Sequence, residues 1–159
     1  MINLINFWGE IFIKNKIFLV CACIFYLSFV NGSELTVNIE NQKKSGFLFL
    51  AIYDDAKAYQ EAIDGGGEEL SEDGSVYNEQ VYLNTKPVHK LIINIPDGEY
   101  AMVFFIDANE NKKLDKNFIG IPKEQYGFSN NAMGAFSAPT FEQAKFTVLD
   151  KANQNIMLN

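Results

Sequence analysis

Between residues 35 and 40 apolar and polar side chains alternate strictly, as Leu35-Thr36-Val37-Asn38-Ile39-Glu40. That pattern predicts a strand with one face toward a core and the other toward water. A polar stretch, Asn41 to Gly46, separates it from a continuous apolar and aromatic run, Phe47 to Tyr53. Such a run predicts a strand covered on both faces. Ala56 to Ile63 places Tyr59 and Ile63 four residues apart, on one face of a short helix. Val76–Asn84 and Val88–Ile95 predict two further strands, and Leu91, Ile93 and Ile95 share a face of the second. After the turn residues Pro96-Asp97-Gly98, Glu99 to Ile106 sets Tyr100, Met102, Phe104 and Ile106 on one face. Ala101, Val103 and Phe105 occupy the other face, so this strand belongs at the centre of a sheet. Two strand patterns joined over three residues predict an antiparallel hairpin. Ala144–Leu149 and Asn155–Leu158 complete seven predicted strands. The class they define is all-β, a single β-sandwich with Greek-key connections.

One segment breaks the pattern. Asp107 to Pro139 has no sustained periodicity and predicts a long irregular loop. Loops of this length are uncommon in a compact domain and are often functional.

The first part of that loop carries the clearest chemistry. Asp107-Ala108-Asn109-Glu110-Asn111-Lys112-Lys113-Leu114-Asp115 has oxygen-bearing side chains at positions 1, 3, 5 and 9. Calcium is a hard cation that takes about six to eight oxygen ligands, and this spacing wraps oxygens around one point. Asp107, Asn109, Asn111 and Asp115 would contribute side chains, and Lys113 its backbone carbonyl. Leu114 is expected to face the core. Two positions depart from an EF-hand loop. Lys112 stands where Gly makes the sharp turn, and Phe118 stands where a bidentate Glu closes the site, with Asn117 as a substitute carbonyl. Ordinary turn chemistry, with Asp and Asn chosen for their backbone conformations, explains the same residues without a metal.

Charge and targeting narrow the function. The chain of 159 residues carries a formal net charge of −7. That disfavours nucleic-acid binding, which needs clustered Lys and Arg. Lys14 and Lys16 precede an apolar run from Ile17 to Val30, and Asn31-Gly32-Ser33 follows. This predicts a cleaved signal peptide over residues 1–32 and an exported, periplasmic or extracellular protein. The stretch before Lys14 is long for such a segment and points to a start codon downstream of Met1. The alternative is a membrane anchor, but the run is short against the roughly twenty residues a span needs. Cys21 and Cys23 lie inside it, and Val20-Cys21-Ala22-Cys23 only loosely resembles a lipoprotein box. The expected mature domain, 33–159, then holds 127 residues (159 − 32), no cysteine and no membrane span.

Other candidates are weaker. His89 is the only histidine, which suits a solvent-facing or hydrogen-bonded residue better than a metal ligand. No nucleophile-elbow pattern supports a Ser-His-Asp triad. Asp64-Gly65-Gly66-Gly67 lacks the Lys-Ser/Thr of a phosphate cradle and reads as a surface loop. Asp107, Asp115 and Glu124 are the acids a hydrolytic enzyme would use. Tyr126, Phe128, Phe136 and Phe141 form either an aromatic ligand platform or a set of pins that hold the loop down.

The long loop also resembles a known family. Gly120-Ile121-Pro122-Lys123-Glu124-Gln125-Tyr126-Gly127-Phe128-Ser129-Asn130-Asn131, Pro139-Thr140-Phe141-Glu142 and the preceding Asp107–Asp115 loop are similar to the hallmark segment of the DUF2141 family. Leu35-Thr36-Val37, the Phe47–Asp54 strand and Pro96-Asp97-Gly98-Glu99-Tyr100 fit it as well. The resemblance implies an exported bacterial β-sandwich and brings no known activity. Members often carry Gly where this chain has Glu110 and Lys112. Three functions follow as expectations. One is a non-enzymatic envelope module whose Gly120–Asn131 loop meets a partner. Another is a small-ligand or glycan binder using Tyr126, Phe128, Asn130 and Asn131. The last is an enzyme using the acidic loop.

Overall fold

The computed structural model describes residues 32–65, 74–134 and 137–159. Residues 1–31 of the expected signal segment, with Trp8, Cys21 and Cys23, the stretch 66–73, and Phe136 lie outside the described residues. The elements of the unit Gly32–Asn159 run in the following order. They are β1 (Ser33–Glu40), β2 (Gly46–Tyr53), α1 (Ala56–Asp64), β3 (Tyr77–Leu83), β4 (Val88–Ile95), β5 (Gly98–Asp107), β6 (Gln125–Phe128), a 3₁₀ turn (Ser129–Asn131), α2 (Phe141–Ala144), β7 (Phe146–Val148) and β8 (Lys151–Met157). Among the described residues no helix is long and apolar enough to cross a membrane.

The strands form two sheets, one of order β4-β1-β8 and one of order β3-β2-β5-β6. β1 is antiparallel to β4 and parallel to β8. All pairings in the larger sheet are antiparallel, and β6 and β7 follow one another along a single edge of β5. The alternation of β1 turns Leu35, Val37 and Ile39 into an apolar cluster shared by both sheets. Ile93 and Ile95 enter it from β4, and Met102, Phe104 and Ile106 enter it from β5.

The opposite face of β2 and β5 is covered as well. Ala51, Tyr53, Ala101 and Phe105 pack there with Tyr59 and Ala62 of α1 and with Phe141 and Ala144 of α2. That second layer is why both strands are apolar on both faces. Each helix starts on a side-chain cap that satisfies an otherwise orphaned N–H. Asp55 accepts from the Ala58 N–H at 2.9 Å, and Thr140 and Gln143 form a reciprocal capping box. Burial pushes the Tyr59 hydroxyl well above its ordinary pKa, with Tyr53 beside it a smaller cause.

Three expectations need correction. The Pro96–Gly98 turn does not close a hairpin, because β4 pairs with β1 while β5 pairs with β2 in the other sheet. The turn is a corner between sheets, closed by Asp97. Its carboxylate accepts from the Ser33 hydroxyl and, at 3.1 Å, from the Asp150 N–H, which holds its pKa below the usual range. An eighth strand, β6, lies inside the segment read as irregular. β8 begins at Lys151 and not at Asn155, while Ala144 ends a helix and not a strand. His89 is buried with Nε2 2.7 Å from the Asn84 carbonyl, as a hydrogen-bonded histidine would be.

Candidate functional site

β5 ends in Asp107, whose side chain is fully buried. One carboxylate oxygen accepts from the Glu110 N–H at 2.7 Å and the Asn111 N–H at 3.2 Å, and the other from the Lys112 N–H at 2.7 Å. The chain wraps around this carboxylate. Glu110 and Lys112 take left-handed φ values of 63° and 65° to do so. These are the two positions at which the resemblance leads one to expect Gly. The sharp turn therefore forms without Gly, held by the charge-assisted bonds to Asp107.

The rest of the loop closes on Asp115. Its two oxygens accept from the side-chain amides of Asn109 at 2.7 Å and Asn111 at 3.1 Å. The Asn111 side-chain oxygen Oδ1 in turn accepts from the Lys113 N–H at 2.9 Å. Asp107, Asn109, Asn111, Lys113 and Asp115 thus come together in one loop, and Leu114 packs beneath it against the second apolar cluster. Glu124 clamps both ends, accepting from the Ala108 N–H at 2.9 Å and the Asp115 N–H at 3.1 Å. Sequence reading assigned Glu124 no such role. At the loop's root the chains approach so closely that a Cβ on Gly46 would stand 2.3 Å from the Asp107 carbonyl oxygen.

Asp115 to Lys123 continues as a small hairpin. The Lys123 N–H donates to the Asp115 carbonyl at 2.7 Å, and Lys116 bridges Pro122. The Asn117 side chain accepts from the N–H groups of Ile119 and Ile121, both at 3.0 Å. Gly120 takes φ 83° at the turn, a conformation that favours glycine. This ordered backbone holds Phe118 99% exposed, with Ile119 and Ile121 more than half exposed.

Between the hairpin and the outer face of β5 and β6 lies a cavity of about 580 Å³. Tyr126 and Phe128 both line it, their rings edge to face at 6.0 Å. Phe128 is buried and Tyr126 half-buried. The two asparagines grouped with them are exposed and hydrogen-bond the backbone. Asn130 donates to the carbonyls of Ala144 at 3.2 Å and Lys145 at 2.7 Å. Asn131 donates to the Asn155 carbonyl at 2.8 Å and accepts from the Met157 N–H at 2.7 Å. Beside them Ser129, fully buried, accepts from the Met102 N–H and donates to the Ala144 carbonyl.

The fold and site define a β-rich, two-sheet protein whose ordered polar loop carries an apolar hairpin over a cavity. The family model described as an uncharacterized protein conserved in bacteria, DUF2141, matches residues 37–157, and the chain belongs to that family. No curated protein and no solved structure matches it.

Proposed function

We propose that the protein is an exported, non-enzymatic module of the bacterial cell envelope that binds a partner through its Asp115–Lys123 hairpin. The observation that carries this reading is the hairpin tip. Phe118, Ile119 and Ile121 stand in water on a backbone fixed by Asn117. Ordering exposed apolar side chains is unfavourable until a partner covers them, and such patches mark interaction sites. Export is supported by the basic and apolar pattern of Lys14 to Val30. In this reading the two sheets pack as a β-sandwich with Greek-key connections. Their shared apolar cluster supports that, as does the return of β5 to the side of β2 after β3 and β4.

Calcium orders the loop beneath the hairpin in this reading. Two carboxylates, two amides and the Lys113 carbonyl are oxygen donors of the kind a hard cation takes, and binding one would turn the Asn109 and Asn111 amides, which donate to Asp115, so that their oxygens face it. Among the described residues no group of three or more His, Cys, Asp or Glu could hold a metal. The affinity is therefore modest, because neutral oxygens supply much of the shell. Bound calcium would add positive charge among Asp107, Asn109, Asn111 and Asp115 and stabilise the loop by mass action.

A photo-crosslinking residue placed at Phe118 in the producing cells tests the binding reading. Discrete adducts are expected there and not at Ile92, which is 56% exposed on β4. Equal adducts at both positions, or none at Phe118, would refute it.

A further inference from the structure

We propose that the cavity behind the hairpin binds a single acyl chain ending in a carboxylate, with the Lys116 ammonium meeting the acid. This goes beyond the partner reading and shares with it only Ile119 and Ile121, which form one wall of the cavity. The floor is Val103 and Phe105 of β5 with Tyr126 of β6, and Leu114 adds a further apolar surface. At about 580 Å³ the cavity falls within the roughly 300–1,000 Å³ of small-molecule sites.

Its chemistry is lopsided. Asp64 and Lys116 are the only charged residues among the described lining. Asp64, at the end of α1, accepts from the Gln60 side chain at 3.0 Å. Lys116 makes no side-chain hydrogen bond or ion pair among the described residues, while its backbone bridge to Pro122 fixes it at the hairpin stem. Gln60 engages Asp64 and no described side chain engages the Lys116 ammonium, so an anionic ligand group is favoured at Lys116 at short range, against the repulsion of a chain of net charge −7. A sugar needs many convergent polar groups, and among the described lining side chains the only hydroxyls are those of Tyr126 and Ser137. A nucleotide needs a phosphate cradle with several donors. A long apolar body with one acidic end matches what is present. Met133, Ile119 and Ile121 are 52–64% exposed at the mouth, and such a chain would cover them.

The test is calorimetric titration of octanoate, decanoate and dodecanoate, below their self-association concentrations. The protein is purified from cells expressing the full chain. One-to-one binding is expected to tighten about fifteenfold for every two methylenes, which is the fold-change of about 0.8 kcal/mol per buried CH₂. Lys116→Gln, at an exposed position, is expected to weaken decanoate about two- to fivefold and leave decanol unchanged. Val103→Phe, which fills the floor, is expected to abolish binding of both at an unchanged far-UV spectrum. No saturable binding to the wild type would overturn the proposal. So would wild-type affinity for decanoate in Lys116→Gln, or co-sedimentation with phosphatidylglycerol vesicles in place of binding to monomeric acids. Failure here with Phe118 adducts intact removes this inference alone. Acid binding without those adducts removes the partner reading alone.

Discussion

Replacing Asp107 by alanine tests whether one carboxylate organises the loop. The side chain is fully buried and accepts three N–H groups, two of them at 2.7 Å. Hydrogen bonds to a charged group contribute about 1.5–3 kcal/mol each, so the two short ones represent roughly 3–6 kcal/mol. Two effects reduce that figure. Glu110, Asn111 and Lys112 are exposed, so water reaches their N–H groups once the loop opens. The left-handed strain at Glu110 and Lys112, about 1 kcal/mol or more each, is also released. The net expectation for Asp107→Ala is a loss of about 2–4 kcal/mol. Asp107→Asn keeps one acceptor and should lose about 1–2 kcal/mol. Urea unfolding reads both as a lower midpoint at unchanged slope. Lys112→Gly supplies the control. It should stabilise the wild type by about 0.5–1 kcal/mol, the strain relieved less the entropy glycine adds to the unfolded chain. In the Asp107→Ala background, where the turn is no longer enforced, that gain should vanish. A loss below about 1 kcal/mol in Asp107→Ala, or full additivity of the pair, would refute the assigned role.

Calcium at 5 mM should raise the thermal midpoint above its value in EDTA. A site with a dissociation constant of about 50 μM adds roughly 2.7 kcal/mol, or about 10 °C for a domain of this size. The shift should be absent in Asp107→Ala, and a wild type indifferent to calcium would end the metal proposal. Gly46→Ala should lower stability by about 2 kcal/mol or more, because its Cβ would overlap the Asp107 carbonyl and the backbone must move. A midpoint unchanged by that substitution would show the approach is looser than described. Tyr59→Phe should be neutral or stabilising at neutral pH, since the buried hydroxyl has no hydrogen-bond partner among the described residues. The raised Tyr59 pKa means the folded chain holds that proton after the unfolded chain has released it. Its contribution is thus complete below about pH 10 and is lost as pH rises beyond that. Urea midpoints at pH 8 and pH 11 should fall less in Tyr59→Phe than in the wild type, and parallel falls would contradict the assignment.

Strands whose inward positions are uniformly apolar were legible in the sequence. β1, β2 and β5 face as the alternation of Leu35 to Ile39 and Tyr100 to Ile106 predicts. Pairing was less legible. Pro96-Asp97-Gly98 shows that the chain turns, but not whether the next strand stays in the same sheet. β6 shows no strand pattern because Gly127 interrupts it. The Phe104 ring lies over that glycine, and a Cβ there would meet the ring at 2.6 Å. β8 was shortened because its inward positions include Ala152 and Gln154, and Gln154 accepts from the Asn130 N–H in place of packing. Asn130 and Asn131 both adopt left-handed φ, at 59° and 52°. Asparagine is enriched in that conformation, so a backbone role is legible in the sequence. Spacing alone groups Asp107, Asn109, Asn111 and Asp115 in one loop, whereas the part Glu124 plays in closing that loop depends on a return of the chain that no local pattern encodes.

The contact between Asn131 and β8 bears on solubility. β8 is the last strand of its sheet, with β1 on one side only. A bare strand edge invites pairing with another molecule and leads toward aggregation. The Asn131 amide offers one donor and one acceptor, as a peptide group does, and engages the Asn155 carbonyl and the Met157 N–H on that side. One side chain thus blunts the edge without a ninth strand. Losing it would expose an apolar-backed template for intermolecular β-pairing.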